Sequence, residues 1–529
     1  MRRRTLLGAT AAALAAPAVL RAAAASVLKF VPQSDLPSLD PIWTTADVTR
    51  NHGFMVYDTL YGQQGPDHEF QPSLQMLAGH SIEQDGRLWR LTLRDGLRFH
   101  DNEPVLARDC VASVQRWGKR DSFGQALMAR TDEVSAPDDR SIVFRLKRPF
   151  PLLPVALAKS ESNMCAMMPA RIAATDPFKA ITDVIGSGPF RYLASERLPG
   201  ALVAYQRFDG YVPRADGRPD WTAGPKHVGF DRVEWHVIPD PATAAGAVLT
   251  GEVDWLERPI LDLLPMLARS NAVKLAVQDP TGLYGLLRPN FLYPPFNNAA
   301  IRRAVMGAID QTQFMTAAAG TDSAMWRAGM GFFPPISPLA NDTDIQLLTD
   351  PRDYAAVHRA LDAAGYAGEA VVLLAPTDIQ SATALAQVAA DTLHKAGMTV
   401  DYQAMDWATL VQRRALDKPP AQGGWNVFGT YFPGLQFLDP AGDLPLRGNG
   451  RQAWVGWPNF PDLERLREAW LDAPSAAARR QIGVQMQHQA FLDVPYWPVG
   501  LYYQPTAFRA TLQGMLQGFP IFWNLRRTG

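Results

Sequence analysis

Cysteine is scarce in this chain, with two residues, Cys110 and Cys165, in 529. Two thiols without a spacing motif give no zinc or iron–sulfur signature. An excess of either charge is also missing, since 51 Lys and Arg stand against 52 Asp and Glu. That balance excludes the basic footprint of a nucleic-acid-binding protein. Catalytic signatures are absent: no H-E-x-x-H, no C-x-x-C, no G-x-S-x-G and no Walker motif occurs. The nine His are scattered, which is the pattern of surface or satisfied core residues rather than ligands. Beyond the N-terminus no apolar run is long enough to span a bilayer. Internal repeats, long charge runs and low-complexity linkers are missing as well.

What is present suits a soluble globular protein of two or three domains. The N-terminus reads as a targeting segment. Arg3-Arg4-Thr5-Leu6-Leu7 resembles a twin-arginine export motif. An Ala/Leu run follows to Leu20, and Ala22 to Ala25 supply a small-residue cleavage site. The mature chain is expected to begin near Ser26, in the periplasm, with no cysteine for a lipid anchor. The general secretory route is the rival, because Arg2 sits where the twin-arginine pattern often has Ser. An oxidising compartment permits a Cys110–Cys165 disulfide. Cys110 also fits a buried helix face as a free thiol, which is the preferred reading.

The most informative stretch runs from Trp89 to Trp117. Trp89, Leu91 and Leu93 alternate with polar residues, as in a half-buried strand. Asp95-Gly96 marks a turn, and Leu97 and Phe99 resume the alternation, so a hairpin is expected. A second turn, Asp101 to Pro104, leads into a helix with Cys110, Val111, Val114 and Trp117 on one face. Arg108, Gln115 and Arg116 fall on the other face.

The literal residues of this stretch resemble the signature of the family 5 extracellular solute-binding proteins, the peptide/nickel class serving bacterial ABC importers. Trp89, Leu93, Arg94, Gly96, Phe99, Asp101, Pro104, Ala107 and Asp109 fit that signature. Asn102 replaces its usual Gly, which is tolerable because Asn visits the left-handed region. Leu106 replaces a helix-capping Thr, so that helix needs another cap.

Further motifs recur in order. Leu39-Asp40-Pro41 precedes Tyr57-Asp58-Thr59-Leu60. Gly186-Ser187-Gly188-Pro189-Phe190 resembles a family crossing motif, and no P-loop spacing surrounds it. Asp240-Pro241 leads to Gly251-Glu252-Val253-Asp254. Val371 to Leu374, a helix face of Leu385, Val388, Ala389 and Leu393, and Met398 to Tyr402 read as a parallel β-α-β unit. Gly424 to Pro440 is aromatic and rich in Gly and Pro, hence loop-like.

The resemblance implies an α/β, two-lobe periplasmic binding protein fold of class II, cluster C type, with an extra α/β subdomain inserted in the first lobe. The expected division is residues 1–25 signal peptide and 26–281 first lobe, with the insertion at about 69–183. Residues 282–494 form the second lobe, and 495–529 return to the first. The implied function is a receptor, not an enzyme. It captures a peptide or other small organic solute between its lobes and delivers it to an ABC permease and ATPase complex as a monomer. No cofactor and no metal are expected. A nickel-type chelate receptor is the alternative, with a secreted hydrolase or a periplasmic chaperone or chemoreceptor adaptor behind it.

By position in the family, Trp43, Thr44, Asp47 and Tyr284 are candidate ligand contacts. Trp425, Tyr431 and Phe432 are expected to wall the site, and Asp47 or Asp439 to hold a ligand cation. Peptide-binding relatives carry an Asp shortly before the position of Asp439 that pairs with the peptide amino terminus. Between Trp425 and Leu438 this chain has no carboxylate.

Overall fold

The computed structural model describes residues 26–528, so the targeting segment lies outside the described residues. Two large sheets organise the chain. The first has seven strands in the order Val273–Val277, Pro505–Arg509, Trp255–Leu256, Val27–Val31, Arg232–His236, Leu202–Arg207 and Phe190–Tyr192. Val27–Val31 runs parallel to both neighbours, and its Leu28 and Phe30 are buried. Phe30 packs edge-on against Trp235, Trp255 and Phe522. Much of the Trp content is spent in this way on core packing.

The second sheet has six strands, ordered Trp326–Arg327, Trp497–Tyr502, Leu283–Pro289, Val427–Pro433, Val371–Pro376 and Val400–Met405. Val371–Pro376 and Val400–Met405 are parallel and flank the helix Gln380–Lys395, as the apolar spacing requires. The segment expected to be a loop contains a central strand, Val427–Pro433, because Val427, Phe428, Tyr431 and Phe432 outweigh the local glycines. Trp497–Tyr502 pairs within this second sheet, so the chain returns to the first sheet after Tyr502 rather than at 495.

A third sheet of four antiparallel strands, Leu77–Glu83, Leu88–Leu93, Ser141–Leu146 and Thr131–Ser135, packs with the helix Ala107–Trp117. The expected hairpin partner at Leu97 to Phe99 does not form. Only a single bridge, Arg98 to Pro104, marks it, and Leu88–Leu93 pairs instead with Leu77–Glu83 and Ser141–Leu146. Asn102 sits at φ 69°, in the left-handed region. The missing Thr cap is replaced by Asp109, whose carboxylate accepts from the Leu106 N–H at 2.9 Å.

One detail of this helix differs from its pattern. Arg116 is buried rather than exposed, and its guanidinium donates to both oxygens of Asp40, at 3.1 and 2.7 Å. Cys110 and Cys165 are both free and buried. Gly186 serves as a crossing point, since a Cβ there would stand 1.9 Å from the Val56 carbonyl oxygen. Among the described residues no helix is long and apolar enough to cross a membrane.

Candidate ligand-binding cavity

A cavity of about 620 Å³, within the size range of ligand sites, lies between two separate parts of the chain. One wall comes from residues 120–163, around the helix Ser122–Arg130 and the segment after the helix Leu153–Ala158. The facing wall comes from residues 436–454, after the strand Val427–Pro433. Two hydrogen bonds tie these regions together, and a third ties the first region to the helix Pro461–Asp472. Ser122 Oγ donates to the Ala441 carbonyl at 2.8 Å, Gln436 Nε2 to Ser162 Oγ at 3.0 Å, and Arg130 Nε to Asp472 at 2.8 Å.

The cavity wall is polar and charged. Asp121 caps its helix by accepting from the Phe123 and Gly124 N–H groups, both at 2.9 Å, and its other oxygen holds Lys159. Glu161 is 6 % exposed, and its ion-pair partner among the described residues is Lys159, at 3.8 Å. Among the described residues its carboxylate accepts no hydrogen bond. Burial pushes its carboxyl up to about 8, against the attraction of Lys159 and with the repulsion of Asp439 and Asp121.

Two residues that line the same cavity carry buried amide oxygens without partners, Gln436 Oε1 and Asn163 Oδ1. The Asn163 orientation is fixed because its Nδ2 donates to the Ile42 carbonyl at 3.1 Å. Arg120 lies between the rings of Trp43 and Phe178, 5.1 and 5.4 Å from their centroids. It has no carboxylate partner among the described residues.

The sequence-derived candidates divide. Trp43 is 38 % exposed and reaches the cavity through Arg120, which donates to its carbonyl. Thr44 is half-buried, and its Oγ1 accepts from the Ala46 N–H; the neighbouring Thr45 lines the cavity. Phe432 packs on Trp454, a cavity residue, at 5.2 Å. Tyr431 packs edge-on against Tyr502 and lies outside the cavity lining.

Four candidates need correction. Trp425 is wholly buried in a cluster with Val372, Leu374, Leu410 and Phe428, and its indole N–H is used by the Arg414 carbonyl. Tyr284 is wholly buried, stacked on Phe437 at 4.2 Å, with its hydroxyl on the Gly331 carbonyl. Neither ring faces the cavity. Asp47 lines a separate cavity of about 50 Å³ and is already paired with Arg258 at 3.0 Å. Asp439 accepts from the Ala441 and Gly442 N–H groups, forming the turn that an Asp-Pro pair allows.

Glu161, Asn163 and Gln436 were not singled out from the sequence. A signal existed in the polar run Lys159 to Asn163, set between the apolar helix Leu153–Ala158 and the apolar Met164 to Met168. A polar run buried inside apolar flanks must face something polar.

Comparison with known proteins bears on this architecture. Residues 71–444 match the bacterial extracellular solute-binding proteins, family 5 Middle. A probable peptide ABC transporter periplasmic-binding protein of Sinorhizobium fredii is 35 % identical over 525 residues, covering 98 % of this chain and 97 % of that one. The fold is shared with an agropinic acid complex of AgaA from A. tumefaciens R10, at TM-score 0.77 and 20 % identity, covering 95 % of this chain and 99 % of that one. It is also shared with a dipeptide-binding protein of Pseudoalteromonas sp. SM9913 holding Met-Leu, at TM-score 0.74 and 19 % identity, covering 95 % and 100 %.

Proposed function

The chain belongs to the bacterial extracellular solute-binding proteins of family 5, and from that premise we propose that the 620 Å³ cavity is where it takes up its solute. It is a solute-binding receptor of an ABC importer, and not a catalyst. The solute proposed is a peptide or a comparable small polar molecule. The name of the Sinorhizobium relative favours a peptide. The observation that carries the assignment is a polar cavity formed by two separate parts of the chain, where Glu161 has only Lys159 at 3.8 Å as partner and Gln436 and Asn163 keep buried amide oxygens without partners. Buried polar groups without partners are costly and are relieved by a polar ligand.

A solute bridging the two walls stabilises the closed arrangement, which is the form a permease reads. The lobes we propose follow the two large sheets, with 26–281 in the first, the inserted subdomain at about 69–183, and the return after Tyr502. Twin-arginine export and a monomeric state complete the proposal. Thermal-shift screening of refolded, ligand-free protein against peptides, amino-acid derivatives, sugars and metal chelates tests it. Peptides are expected to raise the Tm; a rise with metal chelates alone would replace the peptide reading with the chelate one.

A further inference from the structure

Resting on the two-lobe reading, we propose that Arg130 and Arg148, with Glu468 and Asp472, form a latch outside the cavity that holds the closed arrangement and makes it salt-sensitive. The four side chains make an alternating ring of charge. Arg130 donates through Nε to Asp472 and through a terminal nitrogen to Glu468, both at 2.8 Å. Arg148 reaches the other Asp472 oxygen at 3.1 Å and the same Glu468 oxygen at 3.7 Å. The arginines come from the proposed insert, where Arg130 ends the helix Ser122–Arg130 and Arg148 follows the strand Ser141–Leu146. The acids come from the helix Pro461–Asp472, in the proposed second lobe.

Each side of the ring is incomplete without the other. The Arg130 side chain is 3 % exposed, and its own side of the contact orients it. Its remaining terminal nitrogen donates to the Ala126 carbonyl at 3.1 Å, and its guanidinium lies over the Phe150 ring, 5.3 Å from the centroid. A guanidinium buried without a carboxylate is costly, so the closed arrangement needs the acids, and opening gives Arg130 back to water. Glu468 and Asp472 stand four residues apart in one helix, where like charges repel. They also stand at its C-terminal end, where the helix dipole is negative and its own last turn holds no basic residue. Among the described residues their ion-pair partners are Arg130 and Arg148 alone. An isolated exposed pair would contribute little. Here a buried, oriented arginine is shared by two carboxylates, a geometry in which ion pairs do contribute.

The helix Ser122–Arg130 connects the latch to the cavity. Ser122 and Gln125 line the cavity, and Ser122 Oγ donates to the Ala441 carbonyl across it. Arg130 lies about 12 Å further along the helix axis, outside the cavity lining. A latch there raises affinity for whatever solute the closed form holds without touching it, because apparent affinity follows the population of the competent state. Salt weakens it, since the screening length falls from about 30 Å at about 0.01 M to about 3 Å at about 1 M.

The test measures the distance between two nitroxide labels in the full mature protein, as purified and after refolding free of solute. Gln115→Cys and Gln481→Cys place one exposed label on each side of the contact, and the native Cys110 and Cys165 are buried. Refolded wild type at low salt is expected to populate a short distance. The Glu468→Gln, Asp472→Asn double variant is expected to lower the ratio of short to long distances at least about fivefold. Arg148→Gln, which removes a half-exposed side chain and keeps Arg130, is expected to lower it less. About 1 M salt is expected to bring wild type toward the double variant and leave that variant unchanged. Two distances with the same weights in wild type and double variant, or weights in wild type indifferent to salt, overturn the latch and leave the two-lobe reading standing. Refolded wild type found wholly at the long distance at low salt does the same. A single distance in every form, variant and salt overturns the two-lobe reading, and this inference with it.

Discussion

Gly442 lies so close to Glu161 that a Cβ on the glycine would stand 2.5 Å from the carboxylate Oε2. The two residues come from opposite walls of the cavity, so their closeness measures how tightly the walls meet. A side chain at 442 must push Glu161 aside or hold the walls apart. Gly442→Val is therefore expected to weaken peptide binding at least about tenfold, the equivalent of roughly 1.4 kcal/mol. Its Tm without ligand should be nearly unchanged, because an open arrangement relieves the clash. Calorimetric titration and a thermal melt check the two halves of this expectation.

Glu161 gives the ligand-free protein a particular pH dependence. Its carboxyl is held up to about 8 in the fold by burial, against an ordinary value of 4.5. The folded chain thus keeps a proton that the unfolded chain has lost. The stabilising contribution is complete below about pH 4.5 and is lost as pH rises through about 8. Lys159 opposes the shift, while Asp439 and Asp121 add to it. Asp443, also raised to about 8 by burial, contributes equally to wild type and variant. Wild type should lose Tm between about pH 5 and 8.5 more steeply than Glu161→Gln. Parallel curves would place the Glu161 carboxyl at its ordinary value.

The Asp40–Arg116 pair is expected to matter for stability rather than for binding. Both side chains are buried, and Asp40 also accepts from the Ile181 N–H at 3.1 Å. Removing one partner leaves a buried charge uncompensated, which costs about 3–5 kcal/mol. Arg116→Ala should lower the unfolding free energy read from urea titration by that amount, and Asp40→Ala similarly, while the double variant should cost less than the sum of the two.

Trp425→Ala makes the same kind of distinction. The ring fills a core cluster and touches Phe428 at 5.1 Å. A loss of about 3–5 kcal/mol of stability is expected from the cavity left behind. Peptide affinity, measured at a temperature where the variant is folded, should change less than about threefold, below 1 kcal/mol. A large loss of affinity without a loss of stability would return Trp425 to the ligand.

The reach of the sequence differed between these cases. The β-α-β unit was legible because four apolar residues, Val371 to Leu374, and the periodic Leu385 to Leu393 leave no other economical burial. The left-handed turn at Asn102 and the tight crossing at Gly186 were legible because backbone geometry restricts residue type. The hairpin after Asp95-Gly96 misled, since period-2 alternation at Leu97 and Phe99 also serves two buried side chains in an irregular loop. Trp425 and Tyr284 misled for a related reason. Aromatic residues suit ligand walls and cores equally, and one sequence does not say which face of a strand meets the cavity. Arg116 and Glu161 were missed because a buried charge is visible only once its partner, or the want of one, is placed beside it.

The solute is proposed to lie between the walls at Glu161 and Gln436. A crystal structure of the protein carrying the solute it retains when purified from its native source tests this directly. Solute density is expected in the 620 Å³ cavity, in contact with residues of both walls. Density elsewhere, with this cavity empty, would contradict it.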